Sequence, residues 1–199
     1  MDRFIEIQRQ RRTVSERILV CTLVAALLLP AAFAAHASEQ DLTERFLLLA
    51  TKKTGTMEEE VDEAAAAGYR ILSGSPTSGD EMVLILEKVA TPPDVYEYQL
   101  LATTRTGTMQ EEIEEAAGRG FRILPSTMLA KSQMFGGVEI VIMMEKAPNS
   151  TAAYQYRLLA TSRTSTMQEE MGLATADGFT VIGIASRDEH VVIMEKEIE

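Results

Sequence analysis

The sequence predicts an α+β fold, built as three tandem βαββ units within one 199-residue chain. The first observation is internal repetition. FLLLATKKTGTMEEEVDEAAAAGYRIL (Phe46–Leu72), YQLLATTRTGTMQEEIEEAAGRGFRIL (Tyr98–Leu124) and YRLLATSRTSTMQEEMGLATADGFTVI (Tyr156–Ile182) align without gaps, so one short element is used in triplicate. A helical apolar stripe stopped by glycine in each copy is the second. The third is an apolar stretch that closes each copy on Glu-Lys.

Each unit opens with a short strand, at Leu47–Thr51, Tyr98–Thr103 and Tyr156–Thr161. A Thr-rich loop follows. Thr56, Thr108 and Thr166 stand three residues before Glu59, Glu111 and Glu169, a capping-box spacing that predicts a helix start there. Met57, Val61, Ala64 and Ala65 recur as Met109, Ile113, Ala116 and Ala117, and as Met167, Met171, Ala174 and Thr175. That spacing is one helical face, and its small residues let the helix lie close on a sheet. Gly68, Gly120 and Gly178 end the helices in the manner of a left-handed cap.

A second strand begins at once with an aromatic, at Tyr69, Phe121 and Phe179. The third strands, Met82–Leu86, Ile140–Met144 and Val191–Met194, are continuously apolar, which predicts cover on both faces. A right-handed crossover between parallel strands, with the third strand slotted antiparallel between them, gives the order 1-3-2. Units of about 45 residues are marginal alone. The three sheets are therefore expected to pack with pseudo-threefold symmetry, helices outward. The expected units span residues 44–90, 95–147 and 153–199.

Residues 1–37 read as a signal peptide. Arg3, Arg9, Arg11, Arg12 and Arg17 form a positive leader, Ile18 to Ala35 is uncharged and mostly apolar, and Ala35-His36-Ala37 offers a cleavage site. The expectation is an exported protein, periplasmic or secreted, with no stable membrane insertion after cleavage. The segment carries five of the 19 basic and three of the 30 acidic residues, leaving 14 and 27 and a net charge of −13. That balance argues against nucleic acid and anionic membrane surfaces as partners. Cys21 and His36 leave with the signal, so no disulfide, thiolate nucleophile or cysteine-ligated metal is expected. His190, beside Asp188 and Glu189, reads as a turn residue.

Tyr96-Glu97-Tyr98-Gln99, Gly120-Phe121-Arg122-Ile123 and Val138–Met144 resemble a small bacterial domain family of unknown function, with a Y-E-Y-K first strand and a G-[FWY]-[ER]-[LI] second strand. The resemblance covers most of the chain after residue 37, three times over. It implies a βαββ fold and no activity.

Two sets of residues are candidate sites. Lys53, Arg105 and Arg163 share one position before each helix, beside Thr56, Thr108 and Thr166. A cation, hydroxyls and free N–H groups at a helix start form a candidate anion or small-ligand cradle. The second set is a candidate interface. The second unit's hairpin is expanded and carries Met128, Leu129, Met134 and Phe135, and Leu173 replaces an acidic residue in the third helix. Apolar groups in such places mark interaction surfaces, for a protein partner or self-association. The glutamate clusters read as solvated helix starts and the methionines as core. No catalytic residue, metal or cofactor is expected. The functional expectation is a non-enzymatic interaction or scaffold protein.

Overall fold

Alternation and apolar stripes give the chain a β-α-β-β order three times. A computed structural model describes residues 41–91, 94–133 and 136–198, and the expected signal peptide lies outside them. The first segment holds β1 (Phe46–Thr51), α1 (Thr54–Ala66), β2 (Tyr69–Pro76) and β3 (Met82–Lys88). The second holds β4 (Glu97–Thr103), α2 (Thr106–Gly118), β5 (Arg122–Ile123), a 3-10 turn (Pro125–Thr127), β6 (Leu129–Ser132) and β7 (Val138–Lys146). The third holds β8 (Ala153–Thr161), α3 (Thr164–Ala176), β9 (Thr180–Ser186) and β10 (His190–Ile198).

The sheets run β1-β3-β2, β4-β7-β5 and β8-β10-β9, all antiparallel, with the third strand of each segment central. Leu84, Ile142 and Ile193 are buried on these central strands. The reason is compositional. A strand flanked on both sides has no solvent edge, and the most apolar strand takes that place.

Every second strand slips register after its isoleucine or valine. Leu72 bulges out of β2 and Ile182 out of β9. At the same place in the second segment the break widens into the 3-10 turn, and the strand resumes as β6, pairing Leu129 with Val141. The expanded hairpin is thus an added stretch of sheet. Thr127 fastens it: its buried hydroxyl donates to the Leu124 carbonyl at 2.7 Å and accepts from the Met143 N–H at 3.1 Å.

The helices begin earlier than the capping-box spacing predicts. Lys53, Arg105 and Arg163 are the N-cap residues, and no side chain caps them. Instead Thr51, Thr103 and Thr161 hydroxyls accept from the N–H groups of those three cations at 3.3, 3.1 and 3.2 Å. This local turn sets the chain's entry, so Thr56 and its counterparts fall inside the first turn, which contains no acid. The C-termini follow expectation. Gly68 sits at φ 91°, where a Cβ would also lie 2.1 Å from the Ala90 carbonyl oxygen.

Residues from Asp41 onward form one compact unit. Within it the sheets do not simply turn their helices outward. Each sheet has a helix face and a back face. The core around α1 takes Leu47, Leu49, Met57, Val61, Ile71, Leu84 and Leu86 from its own segment, and Tyr98, Val141 and Met143 from the back of the next sheet. The core around α2 likewise takes Tyr156, Val191 and Ile193 from the back of the third sheet. Helix α1 lies against β4, and α2 against β8. The segments are therefore joined front to back.

The same joint is not made between α3 and β1. As a result β3 is not covered on both faces, contrary to the expectation for all third strands. Ile85 on its back face is 44% exposed, whereas its counterparts Met143 and Ile193 are 1% and 0% exposed. Among the described residues no further segment stands ahead of the first to cover that face. The core around α3 is correspondingly small: Met167, Ala174, Phe179, Val192 and Met194.

Candidate functional site

The two inner joints use the same residues at equivalent positions. In the first, the Arg70 guanidinium of β2 reaches Glu145 of β7 with Nη2–Oε1 at 2.9 Å and Nε–Oε2 at 3.0 Å. Tyr98 of β4 donates its hydroxyl to Glu145 Oε2 at 2.9 Å and accepts from the Ile71 N–H at 3.0 Å. In the second, Arg122 holds Glu195 at 2.7 and 3.0 Å, and Tyr156 donates to Glu195 at 2.9 Å while accepting from the Ile123 N–H at 3.1 Å. Tyr96 and Tyr154 rings lie under the Arg70 and Arg122 guanidinium groups, 4.6 and 4.5 Å from ring centre.

Each buried glutamate therefore has an arginine fork and a phenol, which satisfies its oxygens without water. Burial raises the Tyr98 and Tyr156 phenols above their ordinary range, and the neighbouring carboxylates push them further up. The hydrogen bonds to Glu145 and Glu195 hold Arg70 and Arg122 in their charged form.

Helix side chains complete the joints by meeting the open edge of the next sheet. Glu58 accepts from the Leu100 N–H at 3.4 Å. Gln110 accepts from the Leu158 N–H at 2.8 Å and donates to the Tyr156 carbonyl at 3.1 Å. A hairpin cation then reaches back. Lys131 Nζ donates to the Lys52 carbonyl at 2.7 Å, and Arg187 donates to the Thr104 carbonyl.

A cleft of about 710 Å³ lies between the loop before α1 and the second hairpin. It is lined by Lys52, Lys53, Thr54, Gly55, Thr56 and Glu59, with Asp80, Lys131, Ser132, Gln133 and Glu139 opposite. Lys131 pairs with Glu139 at 3.0 Å, both nearly buried, and Lys52 with Asp80 at 2.9 Å. Three cations face three carboxylates, so the cleft offers no surplus positive charge. A cleft of about 390 Å³ occupies the matching place at the second joint, beside Thr104, Ser162 and Arg187.

The predicted cradle residues are thus dispersed. Lys53 and Thr56 line the larger cleft. Arg105 and Arg163 are exposed, and Thr108 and Thr166 are half-buried on the first turns of α2 and α3. The three loops do not converge on one site.

Of the predicted interface residues, Leu129 is buried in the core around α1. Met128 is half-buried against the core around α2, close enough to Gly183 that a Cβ there would sit 2.4 Å from its Sδ. These two fold back onto the protein and are not free surface. Met134 and Phe135 lie outside the described residues. Leu173 is 64% exposed.

The sequence reading missed the joint residues Arg70, Arg122, Tyr98, Tyr156, Glu145 and Glu195. A signal was present. The arginine occurs in the first two copies and is Thr180 in the third, while the tyrosine occurs in the last two and is Phe46 in the first. Such a stagger marks a contact running from one copy to the next.

Among the described residues no group of three or more His, Cys, Asp or Glu side chains is placed to hold a metal ion. No described helix is long and apolar enough to cross a membrane. No family model, no curated protein and no solved structure matches the chain.

Proposed function

We propose that the chain is an exported, non-enzymatic interaction protein: a pseudo-threefold array of one βαββ building block, its three copies linked by one joint made twice, whose uncovered ends take protein. The observation that carries this reading is the contrast in burial at equivalent positions. Phe46 and Leu48 on the back of the first sheet, and Val181 and Ile184 in β9, are exposed large apolar residues. Phe46's counterparts Tyr98 and Tyr156 and Val181's counterparts Ile71 and Ile123 are buried inside the joints, and Leu48's counterparts Leu100 and Leu158 are half-buried there. Surfaces of joint composition left uncovered at both ends favour association. The leader of residues 1–37 supports export, and the gap-free alignment of Phe46–Leu72, Tyr98–Leu124 and Tyr156–Ile182 supports repetition of one block.

The test is crosslinking in the native host, with the full chain and a Leu48→Glu, Val181→Glu double variant. A discrete crosslinked species from the full chain, lost in the variant, is the expected result. A chain that stays uncrosslinked in the exported fraction overturns the reading.

The larger cleft favours a second reading, a small-ligand or anion site at Lys53 and Thr56. It predicts that phosphate raises the melting temperature of the parent and not of Lys53→Ala. Equal shifts, or none, remove it.

A further inference from the structure

Resting on the interaction reading, we infer that the chain associates head to tail with a second copy of itself. The α3 end of one chain takes the back of the β1-β3-β2 sheet of the next, by the joint already made twice within the chain. The two uncovered ends are opposite halves of that one joint. At the leading end, Phe46, Leu48 and Ile85 hold the places of Tyr98, Leu100 and Met143. At the trailing end, Val181 holds the place of Ile71 and Ile123. The fold itself thus states what covers each face.

The edge chemistry is kept. Gln168 stands where Glu58 and Gln110 stand and is exposed on α3. In the second joint Gln110 bonds the Leu158 N–H and the Tyr156 carbonyl. The matching groups of edge strand β1 are the Leu48 N–H and the Phe46 carbonyl, and among the described residues no side chain bonds them. Gly172 replaces Asp62 and Glu114 one turn along the same helix face, removing an acid from the approach. Leu173 is not part of this face: five residues from Gln168 place it about 140° around the helix.

The polar lock, by contrast, is absent at the ends. Thr180 replaces the arginine and Phe46 the tyrosine, and Glu87 is held by Arg45 of its own segment at 2.7 Å. At the lock positions of the two ends, the one charge present is therefore already paired within its own segment. The outer joint is therefore apolar and reversible, where the inner joints are locked. A contact between unlike faces leads to a closed ring or an open filament. The chain's net charge of −11 opposes it, so added salt strengthens association.

The test uses two full-length variants in a Cys21→Ser background, one Leu48→Cys and one Gln168→Cys, treated with a short bismaleimide. A covalent dimer that forms when the two are mixed, and in neither alone, is the expected result. Its yield rises with salt and falls several-fold when Val181→Lys is added to the Gln168→Cys chain. Self-crosslinking of either single variant means a like-to-like contact and overturns the head-to-tail arrangement. Absence of the mixed dimer, with one sedimenting species of monomer mass, also overturns it, as does protection of Leu48→Cys from maleimide by the chain's own residues 1–40. If Leu48→Cys then captures a different protein in the host, self-association falls and the interaction reading stands. If it captures nothing, both fall.

Discussion

Met143 and Ile85 occupy the same register position in two sheets of the same kind, yet one is sealed in a core and the other faces solvent. Tyr98 and Phe46 make the same comparison one strand over. The inner joints and the outer ends share an apolar pattern and differ in whether a neighbour exists and in whether the arginine and tyrosine of the lock are present. Burial here is a property of the stack, and polar residues follow it. Arginine, tyrosine and glutamate meet where the glutamate is buried under the next segment, and the lock disappears where Glu87 is half-buried and paired with Arg45 of its own segment.

The comparison breaks most sharply at the apolar layer. Met143→Ala should cost about 2–4 kcal/mol of unfolding free energy, because it leaves a cavity between two segments. Ile85→Ala should cost about 0.5 kcal/mol or less in the single chain, its side chain being half in water already. Urea unfolding at low protein concentration measures both, and equal losses would mean that the first sheet's back face is covered.

The locks come next. Arg70→Ala and Arg122→Ala should each cost about 1–3 kcal/mol, since Glu145 or Glu195 is left buried with only a phenol. The arginines are half-exposed, which keeps the loss below that of a fully buried pair. Thr180→Ala should change stability by no more than about 0.5 kcal/mol. Tyr98→Phe and Tyr156→Phe should each cost about 1–2 kcal/mol by orphaning the Ile71 or Ile123 N–H.

Their pH dependence has a defined sign. Folding raises both phenols, so their stabilising effect is complete below the ordinary tyrosine range near ~10 and is lost as pH rises through and above it. Alkaline melts should therefore steepen in the parent above pH ~10 and flatten in the double phenylalanine variant. The smallest effect belongs to the helix–edge bond. Gln110→Ala should cost about 0.5–1.5 kcal/mol and Gln168→Ala almost nothing in the isolated chain.

Much of the fold was legible locally. The stripe Met57-Val61-Ala64-Ala65 placed α1 on its sheet, and the unbroken apolar run of β7 placed it centrally. The helix start was misjudged, because Thr51 makes its turn with the Lys53 N–H before Thr56 can act as a cap. The second hairpin resisted reading for a related reason: Leu129 is apolar because it joins the first segment's core, information that no window around it contains. The front-to-back joint was legible only as a stagger between copies, and its loss at Thr180 and Phe46 looks like ordinary drift until the ends are seen uncovered.

The borrowed sheet face also sets the order in which the chain can acquire structure. Val141 and Met143 belong to the core around α1, so that core waits for a strand synthesised long after the helix. A nascent chain that has reached only Lys88 holds a helix and sheet without their lid. Closing the first core is a non-local step, slow beside helix formation, and every stage before the last leaves one apolar face in water. Truncation after the first segment should therefore yield an aggregation-prone fragment, and the length of exposure during synthesis becomes a point at which a holding chaperone can act.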